Sequence, residues 1–115
     1  MTTDPSQVQT RRIRDVVIVE LPPAFTSESE NSLSQKIEWE LADTPGGVVL
    51  DFSRVTSADD GGMKALKWLF RRTDEIDLPV MIAGLGASVR PLVKESGYLE
   101  FADEADTVEE AADAI

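Results

Sequence analysis

The sequence contains neither cysteine nor histidine. Without cysteine the chain can form no disulfide and no thiolate metal site, and without histidine it lacks the commonest zinc ligand and the commonest general base. A serine-type triad that depends on histidine is excluded as well. These absences argue against the most frequent kinds of enzyme active site, and we expect no cofactor and no bound metal.

Long apolar runs and an excess of positive charge are also missing. No segment approaches the roughly 20 apolar residues that span a bilayer, and residues 1–10 are polar, without the apolar core of a signal peptide. The 11 Lys and Arg are outnumbered by 22 Asp and Glu, which gives a formal net charge of -11. This charge disfavours nucleic acid and anionic membranes as partners. We expect a cytoplasmic protein without membrane insertion.

The composition suits one packed domain, since 42% of the 115 residues are apolar. We expect residues 1–8 to form a flexible tail and residues 9–115 a single domain. Apolar and β-branched runs predict strands at residues 9–13, 16–21, 48–52, 79–83 and 98–101. The first two runs are separated only by Arg14 and Asp15, so they should form an antiparallel hairpin.

Helical patterns lie between these strands. The predicted N-caps are Ser27 with Glu30, Ser88, and Thr107 with Glu110, and a further helix starts at about Gly62. Strands that alternate with helices indicate an α/β fold. We predict a mixed, mostly parallel sheet of four to five strands with about four helices and an antiparallel first hairpin.

The loop after the strand at residues 48–52 is the first candidate site. In an open α/β sheet, ligands and partners meet the carboxyl ends of the strands, and Asp-Asp-Gly-Gly at residues 59–62 follows such an end. One interpretation is mechanical, since aspartates cap helices and glycines relax turns. Another is a docking loop whose carboxylates bind a partner's Lys or Arg. A third is a divalent-metal phosphotransfer enzyme that uses Asp51, Asp59 and Asp60, although no nucleophile or base is evident.

The outer face of the following helix is the second candidate. A large aromatic side chain among cations is the composition of an interface anchor, and a basic face on an acidic protein attracts an acidic partner. We predict that Trp68 is such an anchor. The predicted partner-binding residues are Ser57, Asp59, Asp60, Gly61, Gly62, Lys64, Lys67, Trp68 and Arg71.

Two further features have more than one explanation. Residues 84–88, Gly-Leu-Gly-Ala-Ser, are similar to a phosphate-binding loop but match neither GxGxxG nor a P-loop. A tight turn capped by Ser88 explains them equally well. Trp39 lies off the apolar stripe of its helix. It is either a single exposed aromatic without a function, a residue that packs under the N-terminal segment, or a self-association contact.

The residues from 48 to 56, Val-Val-Leu-Asp-Phe-Ser-Arg-Val-Thr, together with the loop at 59–62, resemble the STAS domain family, which includes bacterial anti-sigma factor antagonists. The family pattern is a buried strand ending in L-D-[LF]-S-x-V, followed by a D-S-[ST]-G loop that opens a helix. Later parts of the family pattern fit residues 79–85, 89–98 and 101–115. The resemblance extends from about Val16 onward and implies a STAS-like fold and a non-enzymatic regulator of transcription.

The resemblance also implies a switch that this chain lacks. In anti-sigma factor antagonists, a partner that is both serine kinase and anti-sigma factor phosphorylates the second hydroxyl residue of the loop. That position is Gly61 here, Asp60 takes the preceding hydroxyl position, and Asp59 matches the family aspartate. Because Gly61 has no hydroxyl, the standard phosphorylation cannot occur. Ser57 and Thr56 are the candidate surrogate acceptors.

Other partners stay open. STAS domains are also found in signalling scaffolds and as small subunits attached to ABC-transporter ATPases. The resemblance therefore implies a protein partner that is an anti-sigma factor with serine kinase activity, another STAS domain or an ATPase subunit.

Overall fold

The computed structural model describes residues 7–115 and begins with the predicted hairpin. Strands β1 (Gln9–Ile13) and β2 (Val16–Glu20) pair antiparallel, with Ile13 opposite Val16. Residues 1–6 of the predicted tail lie outside the described residues. Val8, which the sequence assigned to the tail, is fully buried, and its N–H donates to the Ser32 hydroxyl at 3.0 Å. Val8 is therefore part of the packed structure.

The remaining elements alternate as predicted. Within residues 7–115, the further strands are β3 (Ala24–Phe25), β4 (Gly47–Asp51), β5 (Ser57–Ala58), β6 (Val80–Ala83) and β7 (Asp103–Ala105). The α-helices of the same region are α1 (Glu30–Leu41), α2 (Asp60–Glu75), α3 (Arg90–Glu95) and α4 (Val108–Ala114). Short 3-10 turns precede α1 at Ser27–Ser29 and precede β7 at Tyr98–Glu100.

The main sheet has five strands in the order β1-β2-β4-β6-β7. β1 is antiparallel to β2, and every other neighbouring pair is parallel. This arrangement confirms the predicted mixed, mostly parallel sheet with an antiparallel first hairpin. β4 lies at its centre and is buried at all five residues, as expected for a strand covered by helices on both faces.

The two faces of the sheet carry separate apolar clusters because successive strand side chains point to opposite sides. Val17, Leu50 and Ile82 belong to the larger cluster, together with apolar residues of α1, α2 and α3. Ile18 and Val49 belong to the smaller one, which α4 covers with Val108, Ala111 and Ala112. The sheet therefore places α2 on the more heavily covered face.

Two predicted helix starts are wrong. The capping box before α1 is formed by Thr26 and Ser29, one residue before the predicted pair, because the chain first makes a 3-10 turn. α3 begins at Arg90 with Val89 in the N-cap position and no side-chain cap, so Ser88 does not cap it. Thr107 does cap α4, since its hydroxyl accepts the N–H of Glu110 at 3.1 Å.

The predicted last strand at residues 98–101 is also wrong. These residues form the second 3-10 turn and its end, and the chain joins the sheet only at β7, where Asp103 lies opposite Met81. The apolar residues Tyr98 and Leu99 pack against the core from this turn rather than from a strand. Within residues 7–115, no helix is both long and apolar enough to cross a membrane.

Candidate functional site

The loop that leaves β4 is anchored at its first residue. The Asp51 side chain is nearly buried, 8% exposed, and its Oδ1 accepts the N–H of Ser53 at 2.9 Å. The carbonyl of Asp51 accepts the N–H of Leu21, while the N–H of Phe52 donates to the carbonyl of Ala83. Asp51 thus fixes the exit of the chain from the sheet.

The middle of the loop is tied to the segment that follows β2. The N–H and the hydroxyl of Thr56 both donate to the carbonyl of Pro23, at 2.9 and 3.2 Å. β5 then pairs parallel with β3, which places Ser57 beside Ala24. Sequence analysis missed this two-stranded sheet because strands of two residues have no hydrophobic period. Thr56 and Ser57 are both exposed.

The loop ends at the N-terminus of α2. Asp59 is the N-cap, and its Oδ1 accepts the N–H of Gly62 at 2.9 Å. This bond satisfies one of the free N–H groups of the first helical turn. Asp59 and Asp60 are nevertheless exposed to solvent. The mechanical role of Asp59 is thus confirmed, and its carboxylate and that of Asp60 also lie at the surface.

Gly61 faces the turn that precedes α1. A Cβ on Gly61 would lie 2.3 Å from the Cβ of Ser27 and 2.6 Å from its Cα. A Cβ on Gly62 would lie 2.3 Å from the carbonyl oxygen of Phe25. Ser27 is exposed and occupies the space that a side chain at position 61 would need. Sequence gives no signal for this contact, because the two residues lie in different elements far apart in the chain.

The exposed face of α2 carries three cations. Lys64, Lys67 and Arg71 are exposed, as predicted, and none of them forms an ion pair within residues 7–115. Other arginines of the same region are paired: Arg12 with Glu40 at 3.0 Å and Arg72 with Glu38 at 2.8 Å. The cations of α2 therefore remain open to an outside partner.

Trp68 lies at the edge of the face that carries these cations. Its side chain is half-buried and packs against the larger apolar cluster. Trp68 lies four residues after exposed Lys64 and three before exposed Arg71, so it shares their side of α2, while its spacing of three from buried Ala65 places it at the edge of that side. The protein itself covers part of this side chain, and the role of Trp68 as an anchor stays a prediction.

The three carboxylates that were considered for a metal do not form one site. The Asp51 carboxylate accepts the N–H of Ser53, and the Asp59 carboxylate accepts that of Gly62. Among the described residues, no group of three or more Asp, Glu, His or Cys could hold a metal ion. Asp51, Asp59 and Asp60 therefore share no ligand geometry, and the phosphotransfer hypothesis loses its structural basis.

The glycine loop after β6 contains one residue in the left-handed backbone region. Gly84 has φ of +67°, a region that favours glycine, and a Cβ there would lie 3.0 Å from the Cβ of Ser53. The loops after β4 and β6 thus touch at one edge of the sheet. Trp39, the other feature left open by the sequence, is 80% exposed on α1.

A model of the STAS domain family matches residues 7–111. An anti-sigma factor antagonist from Mycobacterium paratuberculosis is 20% identical, with a TM-score of 0.79 over 99% of this chain and 98% of that chain. The phosphorylated form of the Bacillus cell fate determinant SpoIIAA is 18% identical, with a TM-score of 0.74 over 93% and 97%.

A sulfate transporter family protein from Wolinella succinogenes is 20% identical, with a TM-score of 0.75 over 84% of this chain and 81% of that chain. At these identities the similarity of the solved structures shows a shared fold. No curated protein matches the chain in sequence.

Proposed function

The chain belongs to the STAS domain family, whose model covers residues 7–111, and from this premise we propose that it is a regulatory module that binds a partner protein and is not an enzyme. The docking surface consists of Ser57, Asp59, Asp60, Gly61, Lys64, Lys67, Trp68 and Arg71, and Gly62, the remaining predicted residue, is buried beneath it. The observation that carries the proposal is the exposed face of α2, on which carboxylates at the N-terminus adjoin unpaired cations.

The rigidity of this surface supports the proposal. Pro23 holds the loop through Thr56, and Asp59 caps the helix that carries the cations. A surface that is already ordered loses little conformational entropy when a partner binds. The loop and α2 therefore form a preorganised docking surface.

The partner that we propose is an anti-sigma factor with serine kinase activity, in the cytoplasm of a bacterium. The similarity to an anti-sigma factor antagonist structure supports this assignment. A second candidate is a STAS subunit of a signalling scaffold or of an ABC-transporter ATPase. The similarity to a sulfate transporter family protein supports this second candidate, because the same fold occurs in a transport protein.

We further propose that the module docks without a phosphate switch at position 61. Gly61 has no hydroxyl, and Ser27 occupies the space that one would need. Both surrogate acceptors are exposed, and the hydroxyl of Thr56 donates to the Pro23 carbonyl. Partner binding is therefore constitutive or controlled elsewhere in the molecule.

Affinity capture from the cells that express the protein tests these proposals. The baits are the wild type, Lys64→Glu and Trp68→Ala, with Lys36→Glu and Trp39→Ala on α1 as matched controls. We expect each docking-surface variant to lower recovery of the specific partner about tenfold or more, while the controls retain it. Urea unfolding of Trp68→Ala shows whether any loss comes from unfolding, because this side chain is half-buried.

Tryptic digestion of the captured wild-type bait, followed by mass spectrometry, shows whether Thr56 or Ser57 is phosphorylated. Trypsin cuts after Arg54 and Lys64, so residues 55–64 form one peptide that contains Thr56 and Ser57. We expect this peptide without phosphate in the presence of the partner and ATP. A phosphorylated peptide would overturn the switch-free proposal, and equal recovery with all baits would overturn the docking surface.

A further inference from the structure

A groove opens beside the C-terminal half of α2, away from the loop. It lies between α2, the start of β6 and the 3-10 turn at Tyr98–Glu100, with a volume of about 530 Å³. Pockets that bind ligands or anchoring side chains commonly have about 300–1,000 Å³. No local sequence pattern indicates this groove, because its walls come from three separate segments.

The floor of the groove is aromatic. The rings of Phe70 and Tyr98 stack with their centroids 4.9 Å apart, and the Tyr98 hydroxyl donates to the carbonyl of Met63 at 2.9 Å. That bond satisfies the hydroxyl inside the protein and leaves ring surface toward the groove. Phe101, at the rim, is 75% exposed. A large exposed aromatic at the edge of an apolar groove indicates an interaction site.

The charged residues of the groove have a positive excess. Lys67 and Arg71, one helical turn apart, line it and form no ion pair within the described part of the chain. Asp74 is the carboxylate among the lining residues. The protein as a whole has a net charge of -11. An acidic segment is therefore repelled by most of the molecule and attracted to this groove.

We propose that the groove receives an acidic segment of the partner protein. An apolar side chain of that segment packs against Phe70, Tyr98 and Phe101, and flanking carboxylates bind Lys67 and Arg71. The inference rests on the proposed function and deepens it, since Lys67 and Arg71 already belong to the docking surface. A second copy of the chain is a worse occupant, because it would bring another net charge of -11 to the same face.

A synthetic peptide with one phenylalanine between runs of glutamate serves as the probe. Two control peptides replace the glutamates by lysine or the phenylalanine by serine. In amide NMR spectra of the ¹⁵N-labelled protein, we expect the acidic peptide to shift signals of residues 67–71 and 98–101. Phe101→Ser and the double variant Lys67→Glu, Arg71→Glu should weaken its binding about tenfold or more.

Two control variants test whether the effects are specific to the groove. Trp39→Ser removes another exposed aromatic, and Lys36→Glu reverses the charge of a half-buried lysine on α1; both should leave peptide binding unchanged. Equal binding of the lysine peptide, equal binding of the serine peptide, or no shift at the groove would overturn the proposal. The proposal would also be overturned if the protein alone dimerised and Phe101→Ser abolished the dimer, because a second copy of the chain would then be the occupant of the groove.

Capture experiments with the Lys64→Glu and Phe101→Ser variants distinguish failure of the groove proposal from failure of the proposed function. If Lys64→Glu weakens capture and Phe101→Ser does not, the groove proposal fails while the docking surface stands. If the baits capture no specific partner but the acidic peptide still binds at the groove, the proposed function fails while the acidic preference of the groove stands.

Discussion

Gly61 has a steric reason to be glycine. The Thr26–Ser29 turn lies against it, so that an added Cβ would meet the Cβ, Cα and N of Ser27 at 2.3, 2.6 and 2.8 Å. Backbone atoms cannot move aside as the end of a flexible side chain can. The missing hydroxyl could be read from the sequence, whereas the occupied space could not, because no local pattern links Gly61 to Ser27.

We expect Gly61→Ala to destabilise the protein by about 2 kcal/mol, the usual cost of forcing an extra group into a packed site. Urea unfolding followed by circular dichroism measures this change. Gly86→Ala is the control, since a Cβ there would have nothing within 4 Å, and it should leave the unfolding midpoint nearly unchanged. Equal midpoints for both variants would mean that the turn yields easily.

Among the secondary-structure elements, α3 and β7 are joined by one ion pair. Arg90 at the start of α3 donates from Nη1 to Glu104 Oε1 at 3.0 Å, and its Nη2 bonds the other carboxylate oxygen of Glu104. Nη2 also reaches the carbonyl of Leu85 at 3.3 Å. The bond from Arg90, together with its charge, lowers the pKa of Glu104 below the ordinary value of 4.5. This pair holds the start of α3 against β7 at the edge of the sheet.

The lowered pKa predicts a pH dependence of stability. The ion pair stabilises the folded state fully above the ordinary pKa of 4.5, and this contribution disappears as the pH falls through the lower pKa of the folded state. We therefore expect the difference in unfolding free energy between wild type and Glu104→Gln to shrink below about pH 4. Thermal melts from neutral to acidic pH measure the difference.

The control is Glu100→Gln, because Glu100 is exposed and forms no ion pair within residues 7–115. Its difference from the wild type should vary much less over the same pH range. A difference for Glu104→Gln that stays constant down to pH 3 would contradict a stabilising role for the Arg90–Glu104 pair.

The predictability of the elements depended on their length and burial. β2 and β4 were predicted because runs of buried β-branched residues are unambiguous. β7 was missed because Asp103 and Glu104 are exposed at the sheet edge and carry no apolar signal. The cap before α1 was misplaced because Thr26, Ser27 and Ser29 are neighbouring hydroxyl residues with equivalent patterns, and only the 3-10 turn selects Thr26. The cap before α3 was misplaced because that helix starts at Arg90 without any side-chain cap.

In the molecule as a whole, negative charges outnumber positive charges by two to one. The chain has a net charge of -11, and residues 7–115 form a body of about 32 × 28 × 25 Å. At an ionic strength of about 0.01 M the screening length is about 30 Å, so charges repel one another across the whole molecule, whereas at about 0.15 M it is about 8 Å. The folded state should therefore be weakened by self-repulsion at low salt.

We expect the melting temperature at neutral pH to rise by a few degrees when sodium chloride increases from about 0.01 to about 0.15 M. Differential scanning calorimetry provides the measurement. At about pH 5 fewer carboxylates are charged, so the same increase in salt should have a smaller effect. A fall in melting temperature with salt would mean that surface ion pairs such as Arg72–Glu38 outweigh the repulsion.

The contact between Ser27 and Gly61 also constrains how this protein can change over generations. A serine at position 61 would meet the turn, and Ser27→Gly would not make room, because the Cα and N of residue 27 would still lie within 3.0 Å of the new Cβ. A phosphorylatable residue at position 61 therefore requires the turn and the helix start to change together. Control of this module is thus more accessible to mutation at its partner or at another surface than at position 61.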